Sequence, residues 1–294
     1  MANTIALAKN YTSILDEVYQ NASVTADLTS DNTMVRAGAN AKEIVYPQIS
    51  VTGLGDYSRN SGYTNGSVNL EWKTATFNYD RGTKISVDVM DNEESRDIAF
   101  TMAGSELMRT KVAPEADAFT FATLAGIAGI SKATPATYAD ATEFLQALIV
   151  AKNKMDEDEV PEEGRILYAT PTLLNGVMAL DTTKSREILN SFSVKKRVPQ
   201  SRFYTAIDLL DGKTSGEEAG HYKKAETGKD INFMIVHKPA VIKYDKHVAQ
   251  DIIPASANPD SDSDIVKYRK YGIVDVFQNK VAGIYLSHKA SGGC

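Results

Sequence analysis

The sequence predicts an α+β protein in which a long helix lies between strand-rich stretches and a mixed middle region. Three features carry that reading. Apolar side chains recur at helical spacing from about residue 91 to 127, far beyond the length of a mean helix. Apolar and polar residues alternate over 68–72 and 84–89, as in strands with one buried face. Between 53 and 66, four glycines in fourteen residues interrupt that alternation with turn chemistry.

Composition sets the outer bounds. The 294 residues are 43% hydrophobic and 24% charged, which excludes collagen-like, low-complexity and disordered classes. Basic residues number 32 and acidic residues 38, a net charge of −6, so there is no global basic excess to neutralise phosphates. Cys294 is the only cysteine, which rules out an intrachain disulfide and a cysteine-based zinc site. At the N-terminus the first basic residue, Lys9, follows the apolar stretch, the reverse of a secretory signal. The most apolar run, 118–130, contains Gly126 and Gly129 and falls short of the ~18 residues needed to span a bilayer. The expectation is a soluble, non-exported chain.

In chain order, Ile14, Leu15 and Val18 mark a short amphipathic helix within 4–20. Residues 23–41 dissolve into Thr, Ser, Asn, Asp and Gly and read as an arm that gains order by lying on something else. Residues 42–52 form a strand that Pro47 assigns to an edge. With the strand through Val68, Leu70 and Trp72 it makes a long hairpin. The change of parity at Phe77 and Tyr79 predicts a bulge near 74–76. A two-stranded ribbon is marginal alone, so this one is expected to lean on another chain. Together, 23–41 and 53–66 carry too few apolar side chains to offset an ordering cost of ~1–2 kcal/mol per residue.

Ile85, Val87 and Val89 define the next strand, and Asp91 with Glu94 a variant capping box for the long helix. Pro114 is expected to kink that helix or open a second one. Continuous over 91–127, it would measure about 55 Å at 1.5 Å per residue. Further on come a helix over 140–154, a solvated acidic run over 156–163, and a buried strand over 165–170. Helices follow at 171–180 and 184–193, then a loop over 211–229 and a strand over 231–236. Residues 238–253 are mixed and 254–264 are loop. Two strands close the chain around Gln278, Asn279 and Lys280.

No chemical motif in the sequence is complete. Gly53, Gly55 and Ser58 lack the third glycine and the helix of a dinucleotide site. Gly212, Lys213 and Thr214 resemble the end of a phosphate-binding loop, but Ile207 stands where its first glycine belongs. Asp260, Asp262 and Asp264 match the start of a calcium loop, but Ile265 replaces its glycine and Tyr271 its glutamate. His221, His237, His247 and His288 fall in no metal or nucleophile pattern, and Glu143 and Glu157 form no assignable acid–base pair. The compact basic patch Lys195, Lys196 and Arg197, with Arg202, could touch DNA electrostatically but better suits pairing with an acidic run of another copy, such as 156–163, or plain solvation. No catalytic, cofactor or metal residue is assigned, and the chain is not expected to be an enzyme.

The ordered set of parts resembles the major capsid protein of tailed bacteriophages, the Hong Kong phage fold that encapsulins share. The resemblance rests on the Gly-rich hairpin, the helix start Asp-Asn-Glu-Glu-Ser-Arg at Asp91, and Val-Ala-Pro-Glu-Ala-Asp at 112–117. The segments Ile-Val-His-Lys-Pro-Ala-Val-Ile at 235–242 and Tyr-Arg-Lys-Tyr-Gly-Ile-Val-Asp-Val-Phe at 268–277 extend it. It implies an N-terminal arm (1–41) and an extended β-hairpin (42–81). A peripheral domain with the spine helix (82–130 and 254–294) and a mixed α/β axial domain (131–253) complete the chain. It further implies a virion subunit that assembles in the host cytoplasm into hexamers and pentamers of an icosahedral head. Implied partners are other copies, a scaffolding protein, a portal, decoration proteins, and double-stranded DNA held by non-specific contact, with no membrane. Some members weld a hairpin lysine to a neighbour's asparagine; here no lysine lies between Thr52 and Glu71, and Lys73 sits at the ribbon's base. The alternatives are an encapsulin-like compartment and an enzyme of unknown class.

Overall fold

The computed structural model describes residues 22–30, 36–37, 42–60, 62–94 and 98–290. The helix expected within 4–20 and the Ser-Gly-Gly-Cys tail lie outside the described residues. The described chain divides into two compact units: residues 31–78, and a body comprising the segment up to Ser30 and everything from Tyr79 onward.

The smaller unit is a three-stranded sheet of β1 (Arg36–Ala37), β2 (Glu43–Val51) and β3 (Val68–Thr76) in that order. β2 and β3 pair without a register break from Glu43↔Thr76 to Val51↔Val68. The bulge expected near 74–76 is therefore absent. Side-chain parity changes because β3 ends at Thr76 and the next strand starts at Tyr79 in a different sheet. Among the described residues β1 pairs with β2 only at Ile44 and Val45, and Pro47 lies outside that pairing. At the tip, Gly62 takes φ +78° and exchanges backbone hydrogen bonds with Ser58. A Cβ on Gly55 would lie 2.3 Å from Thr64 Oγ1, so only glycine fits there.

The body opens with β4 (Tyr79–Asp88), followed by α1 (Val89–Glu94) and α2 (Ile98–Leu107). Asp88 rather than Asp91 caps α1, its carboxylate accepting from Met90 N at 2.9 Å. A π-helical turn, Met108–Val112, joins α2 to α3 (Ala113–Gly126). Pro114 lies in the first turn of α3, where its missing N–H costs no helical bond, so the wide turn stands at the expected kink. Gly129, at φ +86°, follows the helix end.

Next come β5 (Ser131–Lys132) and α4 (Ala141–Glu157), which Asp140 caps through Thr142 N and Glu143 N. α4 continues past the end expected at Lys154. Lys154 pairs with Asp158 at 2.6 Å and Arg165 with Asp156 at 2.7 Å, offsetting the acid at a helix C-terminus, while Met155 is fully buried. β6 (Arg165–Ala169), α5 (Pro171–Ala179), α6 (Thr183–Asn190) and β7 (Val194–Arg197) follow. The expected loop over 211–229 contains β9 (Tyr222–Lys224), which pairs with β8 (Ile207–Leu209). The chain ends with β10 (Ile231–His237), β11 (Val241–Ile253), β12 (Ser263–Val276) and β13 (Ile284–His288). β11 fills the stretch expected to be mixed; a register shift between Asp245 and His247 breaks its alternation.

Two sheets organise the body, in orders β5-β13-β10-β6-β7 and β11-β12-β4. β11 belongs with β12 and β4, while β13 sits between β5 and β10, so the two closing strands do not pair with each other. The five-stranded sheet is buried on both faces. Ile166, Tyr168, Met234 and Val236 pack with Phe121 and Leu124 of α3. Leu167, Ala169, Phe233 and Ile235 pack with Phe144 and Leu148 of α4 and Leu174 of α5. Two covered faces explain why these strands read as continuous apolar runs.

Candidate functional site

In the hairpin, pairing register turns the sequence alternation into a two-faced ribbon. Pro47 opposes Trp72, Ile49 opposes Leu70, and Val51 opposes Val68. These pairs share one face because side chains alternate sides every residue. Five of the six are large apolar groups that remain 47–70% exposed. The opposite face carries Gln48, Ser50, Asn69, Glu71 and Lys73, with Lys73 Nζ 2.8 Å from Glu71. At the tip, Leu54 is fully exposed and Tyr57 and Tyr63 lie 4.9 Å apart between ring centres. A contiguous apolar stripe left open to water has the character of a contact surface.

In the body, a buried charge network holds the segment 22–30. Asp117 on α3 is 0% exposed and accepts from Ser23 Oγ (2.8 Å), Val24 N (2.9 Å), Thr25 N (3.0 Å) and Thr25 Oγ1 (2.7 Å). Arg202 donates to the same carboxylate at 3.1 Å and to Ala22 O at 3.0 Å. Lys243 on β11, also buried, donates to Thr25 O and Thr25 Oγ1 at 2.8 and 2.7 Å. Burial, with Lys270 adding to it, pulls the Lys243 amine down to about 8. Lys196 reaches Val24 O and Asp27. Leu28 is fully buried in the core under α3.

A second network ties the loop between β8 and β9 to the spine. Arg81 on β4 donates to Glu115 Oε1 at 2.6 Å and to the carbonyls of Leu210 and His221 at 2.8 and 3.2 Å. Tyr79 donates to Glu115, and His221 Nδ1 stands 3.6 Å from it, beyond a hydrogen bond. Burial alone would raise the Glu115 carboxyl; His221 and Arg81 outweigh it and hold the group below its ordinary value. Gly212, Gly216 and Gly220 let the loop turn, each at positive φ, over a cleft of about 350 Å³ lined by Tyr79, Lys111, Glu218 and Tyr268.

No protein-family model matches the sequence, and no curated protein sequence does either. Solved structures do. The structure titled Mycobacterium phage Che8 matches at TM-score 0.58 and 13% identity, over 90% of each chain. The capsid structure of the cyanophage P-SCSP1u matches at 0.59 and 14%, over 92% of this chain and 88% of that one. A virus-like particle from Pyrococcus furiosus matches at 0.58 and 10%, over 96% and 99%. The chain has the tailed-phage capsid fold. At these identities the likeness is one of fold.

Within that fold the sequence motifs take ordinary roles. Gly53, Gly55 and Ser58 form the hairpin tip. The Asp211 carboxylate takes Lys213 N, Thr214 N and Thr214 Oγ1, bonds that hold it down to about 2, so those amides are not left to cradle a phosphate. Asp264 accepts from Ala255 N, and no metal-holding group of three His, Cys, Asp or Glu occurs among the described residues. Glu143 and Glu157 stand at opposite ends of α4, about 20 Å apart along its axis. His237 is buried, its imidazole pulled down by desolvation and then by Lys280 and Arg165. His247 is exposed, and His288 Nδ1 lies 2.9 Å from Lys289 O.

The basic patch is not one surface. Lys195 donates to Leu189 O and Arg197 to Asn175, while Lys196 and Arg202 grip residues 22–27. Each of the four basic side chains has a partner within its own chain. Sequence reading missed both networks, Asp117 with Lys243 and Arg81 with Glu115. The only signal was charge inside apolar runs, at Glu115 and Asp117 in the spine stripe and Lys243 after Val241 and Ile242. No helix among the described residues is long and apolar enough to cross a membrane.

Proposed function

We propose that this chain is the structural subunit of an icosahedral phage head. Copies join as hexamers and pentamers to enclose double-stranded DNA, which touches the wall only non-specifically. The observation that carries this reading is the exposed apolar face of the hairpin, on a chain whose fold is shared with capsids over about nine tenths of its length. An isolated ribbon gains nothing from Ile49, Val51, Val68, Leu70 and Trp72 in water. Covering each is worth about 1 kcal/mol or more. A neighbouring subunit supplies the cover. The peripheral part is then β4, the spine and the β11–β12 pair, and the axial part the five-stranded sheet with α4, α5 and α6. A scaffolding protein, a portal and decoration proteins complete the assembly, which forms in the host cytoplasm and ends in the virion. The role is structural and not enzymatic.

The purified chain, run on size exclusion and viewed by negative stain, is expected to form capsomers, tubes or shells. Deleting 54–65 removes the tip and is expected to abolish them while leaving the body folded. A chain that stays monomeric under assembly conditions with its scaffold overturns the reading. Nuclease-protected DNA inside natural particles distinguishes a phage head from a protein-filled compartment of the same fold.

A further inference from the structure

We propose that Asn65 is a self-modifying site: its side chain closes onto the Gly66 nitrogen, releases ammonia and hydrolyses to aspartate and isoaspartate, which withdraws the chain from assembly. The sequence holds two Asn–Gly pairs, at 65–66 and 175–176, and one Asp–Gly pair, at 211–212. Asparagine is chemically labile, most of all before glycine, where no Cβ hinders the approach of the backbone nitrogen. The fold treats the three pairs differently.

Asn175 and Gly176 lie inside α5. The helix fixes both backbone dihedrals and engages the Gly176 N–H in its ladder, while Arg197 Nε donates to Asn175 Oδ1 at 2.8 Å. Exposure is not what separates the pairs, since Asn175 is itself exposed. Asp211 is an ionised carboxylate that accepts from Lys213 N, Thr214 N and Thr214 Oγ1, and a carboxylate anion resists attack by nitrogen. Asn65 has neither restraint. Residues 63–67 belong to no helix or strand, Asn65 and Gly66 are both exposed, and neither makes a hydrogen bond among the described residues.

The reaction needs water and no other reagent. The Gly66 nitrogen loses its proton and bonds to Asn65 Cγ. The Cγ–Nδ2 bond breaks, and ammonia leaves carrying that proton. Water then opens the cyclic imide at either carbonyl, giving aspartate or, with the main chain routed through the side chain, isoaspartate. The consequence rests on the proposed role as a shell subunit. The new carboxylate stands close to Val68, where the apolar face begins. Isoaspartate also lengthens the main chain by a methylene beside Ser67, whose N–H donates to Thr52 Oγ1 at 2.8 Å and whose carbonyl accepts from Thr52 N at 3.1 Å. Those bonds close the ribbon where Val51 opposes Val68. Charge and slack thus arrive together at the end of the face a neighbour covers, and covering an unpaired carboxylate is costly.

The experiment holds the unassembled full-length chain at mildly alkaline pH in heavy-oxygen water. Digestion and mass-spectrometric mapping locate the incorporated oxygen, and an isoaspartyl methyltransferase marks the isoaspartate. Label should enter at residue 65 at least about tenfold faster than at 175 or 211, since attack at Asn175 must first open a helical hydrogen bond. In denaturant, positions 65 and 175 should react at similar rates. No product at 65, equal rates at 65 and 175 in the folded chain, or the same ratio folded and denatured overturns the proposal. The converted fraction, separated by charge, should then lose most of its assembly by light scattering, while Asn65→Gln aged beside it keeps its own. Converted chain that assembles like fresh chain overturns the withdrawal. Fresh chain that forms no particles, with residue 65 converting as expected, sinks the shell role and leaves the modification standing.

Discussion

Asp117 concentrates more of the body's polar energetics than any other described side chain, because a single buried carboxylate receives four donors from residues 23–25 and one from Arg202. Asp117→Ala leaves those donors and Arg202 unmatched. It should cost about 3–5 kcal/mol, read by denaturant unfolding of the unassembled chain. Lys243 gives a pH signature. Its folded value of about 8 lies below the ordinary 10.5, so from pH 8 upward the unfolded chain binds a proton that the fold has shed. Its contribution to stability is therefore complete above the ordinary value and lost as pH falls through about 8. The difference in stability between the natural chain and Lys243→Met should grow from pH 8 to pH 10, and a flat difference refutes the assignment. Tyr168 offers a contrast. Its hydroxyl is buried with no hydrogen-bond partner among the described residues, and desolvation pushes its ionisation far up. Tyr168→Phe should be neutral or stabilising in the same unfolding assay. These roles were not legible in the sequence. Ser23, Thr25 and Asp117 announce themselves only as polar residues in an arm and a helix, and their meeting is a tertiary fact.

Among elements, the hairpin and the spine were the most legible, because each is specified by local periodicity. Glycine spacing at the tip and alternation through Val68, Leu70 and Trp72 set the start of each ribbon strand to within a residue, while the ribbon ends at Thr76 and not at the expected 81. Errors arose where local signals met a change of neighbour. The parity shift at Phe77 looks the same whether a strand bulges or passes to another sheet. β11 was obscured by Lys243, Asp245 and Lys246, whose charges are answered by partners far along the chain, such as Lys270 for Asp245 at 2.9 Å. The end of α4 was hidden likewise, since Arg165 lies beyond the acidic run it neutralises. A prediction belongs at this scale. Ile49→Lys with Leu70→Lys places two charges on the apolar face of a cross-strand pair. The unfolding free energy of the unassembled chain should change by no more than about 0.5 kcal/mol, as for exposed positions generally. Assembly, followed by light scattering, should be lost.

For the whole molecule, the fold class and the order of parts were readable while the grouping of strands into sheets was not. β13 is inserted between β5 and β10, and β11 is drawn into the sheet of β4, so strands far apart in the chain share a sheet. Such long-range pairing leaves no trace in a single sequence. What the two units share is incompleteness: one displays an apolar face to water, and the other holds its N-terminal segment through charges that cannot stay buried alone. Trp72, the only tryptophan in the chain, sits on that apolar face at 47% exposure and reports on its cover. Acrylamide quenching of its fluorescence, compared between unassembled chain and assembled particle, is the most direct test. The account predicts ready quenching before assembly, then protection with a shift to shorter wavelength once particles form. Equal quenching in both states would contradict it, as would a tryptophan already shielded in the lone chain.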